Sequence, residues 1–403
     1  MNRNIITFAS ALTLLMATGT AKANQSIADA IRAGKVYGNF NLRSELADQD
    51  NPVNDASALT LRSRLGFKTG QFHGFSALIE LEDSRIVAGQ NEFTVGPTGF
   101  NPGMYSVVAD PETTELDQAF VQYNTGPVMA KLGRQVIAHD GHRFVGHVGW
   151  RQDRQTFDGM TLGYSGVNKL KASYSYVTQR NRIFAESADL DSKDHLLNAS
   201  YPTSIGKWVG YAYLLEVDNG TSNSLDTFGA SLTGSQDLGG SKLLYALELA
   251  TQDAESGGGA FDANYVLAEV GVGFKPVTAK LGYELLGSDD GNFGFATPLA
   301  TLHKFNGWSD QFLNTPAEGL ADRYLSLSGP VAGGKWIFVY HDFAADESSP
   351  GVDDLGTEFN VQFTRTFAEI YNIGLKFASY DAGDPGAGKV DTNRFWAWFS
   401  TGF

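Results

Sequence analysis

From Val36 onward, apolar and polar side chains alternate in short runs and do not recur at helical spacing. Val36, Phe40, Leu42 and Leu46 alternate with Asn39, Asn41, Arg43 and Glu45, and Leu59, Leu61, Leu65 and Phe67 alternate with Thr60, Arg62, Arg64 and Lys68. Phe75, Ala77, Ile79 and Leu81 then alternate with Ser76, Glu80 and Glu82. Successive side chains of an extended chain point to opposite faces, so each run has one apolar and one charged face. The pattern returns over residues 170–176, 268–274 and 358–364, and over 209–217, where Val209, Tyr211, Tyr213, Leu215 and Val217 form the apolar set around Gly210, Ala212 and Glu216. The last strand carries Phe395, Ala397, Phe399, Thr401 and terminal Phe403 on one face, with Arg394, Trp396, Trp398, Ser400 and Gly402 on the other. An apolar face and a charged face repeated through consecutive strands is the dyad pattern of a barrel with lipid outside and water inside. Pairing the final strand with the first removes the edges and satisfies the backbone groups that a membrane would leave bare.

The connections alternate as well. Short links at 69–71, 125–127, 165–168, 202–207, 235–241, 275–276 and 329–334 take turns with longer acidic or glycine-rich stretches at 48–58, 83–114, 139–154, 287–320 and 344–354. Short periplasmic turns and long extracellular loops are the usual asymmetry of such barrels. The expected fold is all-β: a single transmembrane antiparallel β-barrel over residues 35–403, with about 18 strands and an aqueous lumen. The long 287–320 stretch contains Pro298 and Pro316, which cannot donate ladder hydrogen bonds, so it is expected to be a loop that occludes the pore, with His303, Lys304, Trp308 and Asp310 as candidate occluding side chains.

Ahead of the barrel, residues 24–34 carry Ile27, Ala30 and Ile31 at helical spacing and stop at Gly34, which predicts a short periplasmic helical segment. Residues 1–23 have cations at Arg3 and Lys22, an apolar stretch over 5–17, and Ala21 and Ala23 bracketing Lys22. They read as a signal peptide too short to span a bilayer. The expected location is the outer membrane of a Gram-negative bacterium. The expected partners are outer-membrane lipid and the barrel-assembly machinery, the latter through the strand ending at Phe403. Removing Arg3 and Lys22 leaves 28 cations against 45 acids, so the net charge of −15 becomes about −17 and nucleic acid is not an expected partner. There are no cysteines to form a disulfide frame or carry a lipid anchor.

Candidate chemistry concentrates in residues 133–159, which hold Arg134, Arg143, Arg151, Arg154 and Asp158 around Trp150. Guanidinium groups lining a pore, together with the inward Arg43, Arg62 and Arg64, would offer bidentate contacts to an acidic sugar polymer or oligomer. Alternatively, this is a solvated loop whose arginines pair with Asp140, Asp153 and Asp158. His139, His142 and His147 match no closed ligand spacing, so no metal and no cofactor is expected. No motif around His195, His303 or His341 suggests an enzyme.

Gly133-Arg134-Gln135, the run from Trp150 to Gly159, and Phe295 to Trp308 with its continuation Ser309-Asp310-Gln311-Phe312-Leu313 and Gly319-Leu320-Ala321-Asp322 resemble the alginate-export family of outer-membrane β-barrels. The resemblance implies eighteen strands, an arginine-rich electropositive constriction and mobile loops over the pore. Carried onto this chain, it makes Arg134, Arg151 and Arg154 constriction candidates with Asp158 as a partner. The chain departs from that pattern at acidic positions that read as inward: Glu45, Glu80, Glu216, Glu248, Glu269, Glu284 and Glu358. Two functions follow as expectations: passive passage of an anionic polysaccharide or oligosaccharide, or substrate-selective uptake of small solutes on the same barrel.

Overall fold

The computed structural model describes residues 26–96 and 99–403. The expected signal peptide lies outside them. Ser26 caps a short helix, α1 (Ile27–Arg32): its hydroxyl accepts from the Asp29 N–H while the Asp29 carboxylate accepts from the Ser26 N–H. The helix sits under the first turn, where Gly70 N–H donates to Ala30 O at 2.9 Å.

The strands are β1 (Lys35–Gln49), β2 (Ala56–Lys68), β3 (Phe75–Glu92), β4 (Thr113–Thr125), β5 (Val128–Gln135), β6 (Thr156–Ser165) and β7 (Lys171–Asn181). They continue as β8 (Leu190–Thr203), β9 (Gly206–Glu216), β10 (Ser224–Asp237), β11 (Ser241–Ser256), β12 (Gly259–Phe274) and β13 (Val277–Leu286). A two-residue hairpin, β14 (Ser288–Asp289) with β15 (Phe293–Gly294), decorates one loop. The wall resumes as β16 (Leu320–Val331), β17 (Gly334–Ser349), β18 (Val352–Phe367), β19 (Tyr371–Asp381) and β20 (Thr392–Gly402).

Apart from the hairpin, these strands make one closed 18-stranded antiparallel sheet. Closure runs from Asn39 opposite Gly402 to Gln49 opposite Thr392, and Phe403 exchanges backbone hydrogen bonds with Gly38 at 3.1 and 3.2 Å. With an even strand number, both ends of the barrel lie on the short-turn side. Val36, Leu65, Leu132, Leu249, Phe274, Phe395 and Phe399 are exposed on the outer face, while Arg43, Glu45, Arg62, Arg64, Glu80 and Glu82 are buried inside. That is the inverse of a soluble core and the arrangement that lipid demands.

Three details depart from the sequence expectation. Residues 344–354 are not a long loop: β17 runs to Ser349 and β18 begins at Val352, leaving a two-residue turn at Pro350 and Gly351. Register shifts between Phe343 and Ser349 leave residues 345–348 without a β18 partner, and Glu347 N–H donates instead to Glu318 O at 2.9 Å. In β9 the apolar face turns inward, with Val209, Tyr211, Tyr213 and Leu215 buried. Glu216 therefore lies on the opposite face, beside Lys193. The reason is tertiary: this wall is the dry surface on which a loop docks, as Phe144 packs on Tyr211, Tyr213 and Tyr265 at 5.1, 6.2 and 5.2 Å between ring centroids. Finally, a bulge opposite Glu80 and Leu81 gives β4 one extra residue, Asp117, and turns its carboxylate inward next to Gln118.

Candidate functional site

Two long connections, 136–155 and 287–319, fold into the barrel and bind each other as a plug. Val145 and Leu299 form a parallel bridge, Gly146 N–H donates to Leu299 O at 2.8 Å, and Thr301 N–H donates to His142 O at 3.0 Å. The Gln155 amide clasps both chains, donating to Gly146 O at 2.8 Å and Leu299 O at 3.2 Å. Apolar docking comes from Phe144, Phe295, Leu299 and Phe312, all buried against the inner wall. Gly307 lets the second loop approach the wall: its φ is +84°, and a Cβ there would meet the Glu358 carboxylate at 2.3 Å. Glu358 then accepts from the N–H groups of Trp308 and Ser309 and from the Ser309 hydroxyl.

The arginines do not form a free positive ring. Glu45 is the hub of one cluster, 2.7 Å from Arg151, 3.1 Å from Arg394 and 3.7 Å from Arg43. Arg43 also binds Asp110, and Arg151 reaches Asp310 at 3.0 Å. In a second cluster Arg64 binds Glu82, and Arg154 donates to Glu80 and to both oxygens of Asp117. In a third, Arg143 is 2.6 Å from Glu284, which also accepts from the Tyr265 hydroxyl at 2.6 Å. Arg62 has no carboxylate partner among the described residues and donates to Asn39 Oδ1 at 2.7 Å. The pairs are buried, so the paired guanidiniums contribute little free positive charge; Arg43, Arg143, Arg151, Arg154 and Arg394 tie loop to wall, whereas Arg64 ties strand to strand.

Arg134 and Asp158 form a bidentate pair at 2.8 and 2.9 Å, but not in the lumen. The unbroken register sets them on the face of the exposed Leu132 and Met160, on the outside of the wall near the loop end. The other proposed loop partners differ too: Asp140 pairs with Lys207 at 3.0 Å, and Asp153 accepts from the Ala185 N–H at 3.0 Å. His142 and His147 meet edge to face at 4.8 Å between ring centroids, and His142 also reaches Thr301 Oγ1 at 3.3 Å, while His139 stands apart, stacked on Tyr213.

The four occluding-loop candidates sit together in the plug. His303 Nδ1 is 2.7 Å from Asp310, and its Nε2 accepts from Lys376 Nζ at 3.0 Å, which leaves the ring proton on Nδ1. The Trp150 ring stacks flat on His303 at 4.8 Å. Lys376 of β19 lies 4.0 Å from the Trp150 ring centroid, 4.3 Å from Trp308 and 5.7 Å from Trp396. One wall cation therefore holds both loops through neutral partners, as cation–π contacts allow. Burial keeps His303 well below the ordinary imidazole range, at about 3, against the pull of Asp310 and with Lys376 and Arg151 adding to the effect. Lys304 Nζ bonds Gly141 O at 2.7 Å.

Beneath the plug an open cavity of about 900 Å³ is lined by residues of both loops and by β9–β13 and β16–β19. Arg143, Lys207 and Lys280 there have carboxylate partners in Glu284, Asp140 and Glu269. Lys304, Lys335 and Lys376 have none among the described residues. Sequence reading missed Lys376, Lys335, Asp110 and Asp117. Lys376 was within reach, since it alternates with Leu375 and Phe377, whereas Asp117 is turned inward by a bulge that no period reveals.

A closed strand barrel with a lipid-compatible outside and a polar, loop-filled inside defines an outer-membrane channel of a Gram-negative bacterium. The profile of the alginate-export family matches residues 35–285, and the chain belongs to that family. Among curated proteins, none matches the sequence. Solved structures share the fold at low identity. Acinetobacter baumannii OccAB1 is 14% identical with a TM-score of 0.74, covering 93% of this chain and 97% of its own. Pseudomonas aeruginosa OccK9 (OpdG) is 15% identical with a TM-score of 0.68, covering 93% and 100%. Pseudomonas aeruginosa OpdK, solved with vanillate, is 12% identical with a TM-score of 0.71, covering 91% and 98%. The family and fold are those of channels, not enzymes.

Proposed function

We propose that this channel passes small solutes carrying a carboxylate, of about the size of an acidic monosaccharide or short oligosaccharide, by passive and selective diffusion. The observation that supports it is the plugged lumen with three lysines that carry no ion pair among the described residues. Two interlocked loops cross the pore, and the cavity below them is about 900 Å³, within the roughly 300–1,000 Å³ of small-molecule sites. Lys304 on the plug and Lys376 and Lys335 on the wall line that space without a carboxylate of their own. In a narrow pore an unpaired cation favours a partly dehydrated anion more than it would in bulk water. Paired guanidiniums cannot do this, which is why the proposal moves from the arginines to the lysines. The vanillate bound in the OpdK structure is likewise a small carboxylate.

Passage of a long anionic polymer is the second reading, supported by the family match. It requires both loops to leave the lumen together, breaking the buried Glu45, Glu284 and Glu358 contacts. Proteoliposome swelling separates the two. Glucuronate is expected to enter faster than glucose, with rates falling steeply along a series of uronate oligomers, and Lys304→Gln with Lys335→Gln is expected to abolish the preference for the acid. Long oligomers entering as fast as the monomer would establish the polymer reading. Equal rates for glucuronate and glucose would remove the lysines from selectivity.

A further inference from the structure

The plug has a second face. Above it, on the long-loop side, lies a separate pocket of about 430 Å³ lined by Arg182, Asn292, Phe293, Pro298, Leu302 and Leu313, among others. Leu302 and Pro298 belong to the same loop whose Thr301, His303 and Lys304 face the lower cavity, so one layer of chain separates the two spaces.

Arg182 follows the end of β7 and is half-buried. Its backbone N–H donates to Asp189 Oδ1 at 2.8 Å, but its guanidinium has no ion-pair or hydrogen-bond partner among the described residues. The contrast with its neighbour is sharp: Arg180 is held bidentately by Asp194 at 2.8 and 2.7 Å. This half-buried guanidinium has five donors and no protein acceptor among the described residues; burial and nearby Arg180 lower its pKa, and the Asp189 carboxylate offsets them in part. A ligand carboxylate would satisfy the fork in the bidentate geometry that suits it. Phe293, Pro298, Leu302 and Leu313 offer the apolar surface on which a ring attached to that carboxylate can rest.

We propose that the Arg182 pocket is an outer capture site for a carboxylate carried on a six-membered ring, placed before the plug and distinct from the lysine-lined cavity behind it. The proposal rests on the anion-passing function above. The shared chemistry admits either a sugar acid or an aromatic acid, and the probes distinguish them. A bound anion at Arg182 waits directly over the loop that must move, so capture raises the local solute concentration at the barrier and acts on the rate of entry, with passage beyond the plug unaffected.

The test is single-channel recording on the full chain in a planar bilayer of fixed orientation, with glucuronate, benzoate or glucose added to one side at a time. Arg182→Gln is expected to lower the frequency of acid-induced blockades roughly tenfold when the acid is on the long-loop side, in keeping with electrostatic capture. Blockades from the short-turn side are expected to be unchanged, which also shows that the variant is folded. Arg182→Lys should keep part of the effect. Stronger dependence for glucuronate than benzoate identifies the sugar acid, and the reverse identifies the aromatic acid. An unchanged loop-side frequency in Arg182→Gln, with blockades persisting in the wild type, overturns the capture site alone, as does an equal fall from both sides. No acid blockade of the wild type from either side overturns the anion-passing function, and the capture site with it.

Discussion

Lys376 shows how one side chain can join several elements. Its ammonium touches Trp150 of the first inward loop, His303 and Trp308 of the second, and Trp396 of the neighbouring strand. Hydrogen bonds to a charged group contribute about 1.5–3 kcal/mol, and desolvated cation–π contacts up to about 2 kcal/mol or more each. Lys376→Met keeps the length of the side chain and removes both. The barrel strands do not depend on it, so the variant is expected to remain heat-modifiable on gels while its open-channel current becomes noisier and its mean conductance rises. A quiet, wild-type current from Lys376→Met would show that the loops are held elsewhere, at Glu358 and Glu45.

At the scale of the element, the plug is built around neutral imidazoles, and this sets a pH dependence. Burial, then His142 and Arg154, hold His147 at about 4, and burial outweighs Asp310 to hold His303 at about 3. Both values lie below the unperturbed 6.5, so the unfolded loop takes up the proton first. The stability these groups contribute is whole above about pH 6.5 and is lost as the pH falls through the folded values. Asp153 runs the other way: burial, then Glu115 and Glu82, push it up to about 9, so its contribution is greatest below the ordinary carboxylate range and fades as the pH rises toward 9. Acidification from pH 7 to 4 is therefore expected to loosen the plug, read as rising current fluctuation, and His147→Gln with His303→Gln should flatten that profile. An acid response unaltered by the double substitution would assign it to the carboxylates.

For the whole molecule, closure is the decisive event, because an open barrel leaves the unpaired edges of β1 and β20 in lipid. Phe403 completes the seam through two backbone hydrogen bonds with Gly38 and exposes its ring at the membrane boundary, where aromatics are favoured. We propose that the barrel-assembly machinery reads this strand. Deleting Phe403 is expected to reduce membrane-inserted, heat-modifiable protein several-fold without changing the conductance of the channels that do assemble. Wild-type amounts after the deletion would place the assembly signal farther upstream.

Alternation of side chains along the chain was enough to determine an even, roughly eighteen-stranded barrel, its lipid face, and the inward course of Arg43, Arg62 and Arg64. A period of two is a local property, set by covalent geometry and the medium on each side. The partners of those side chains are not local. Arg151 meets Glu45 across 106 residues of sequence and Arg394 meets it across 349, so whether an inward arginine is a free charge or half of a buried pair depends on register and loop folding. The inverted β9 has the same origin: its apolar set reads as lipid-facing until Phe144 arrives to cover it from inside. Tertiary structure alone thus decided that Arg43, Arg143, Arg151, Arg154 and Arg394 lock the plug while Lys304, Lys335 and Lys376 carry no ion pair among the described residues, because charge in a lumen is fixed by which groups come within a few ångströms of one another.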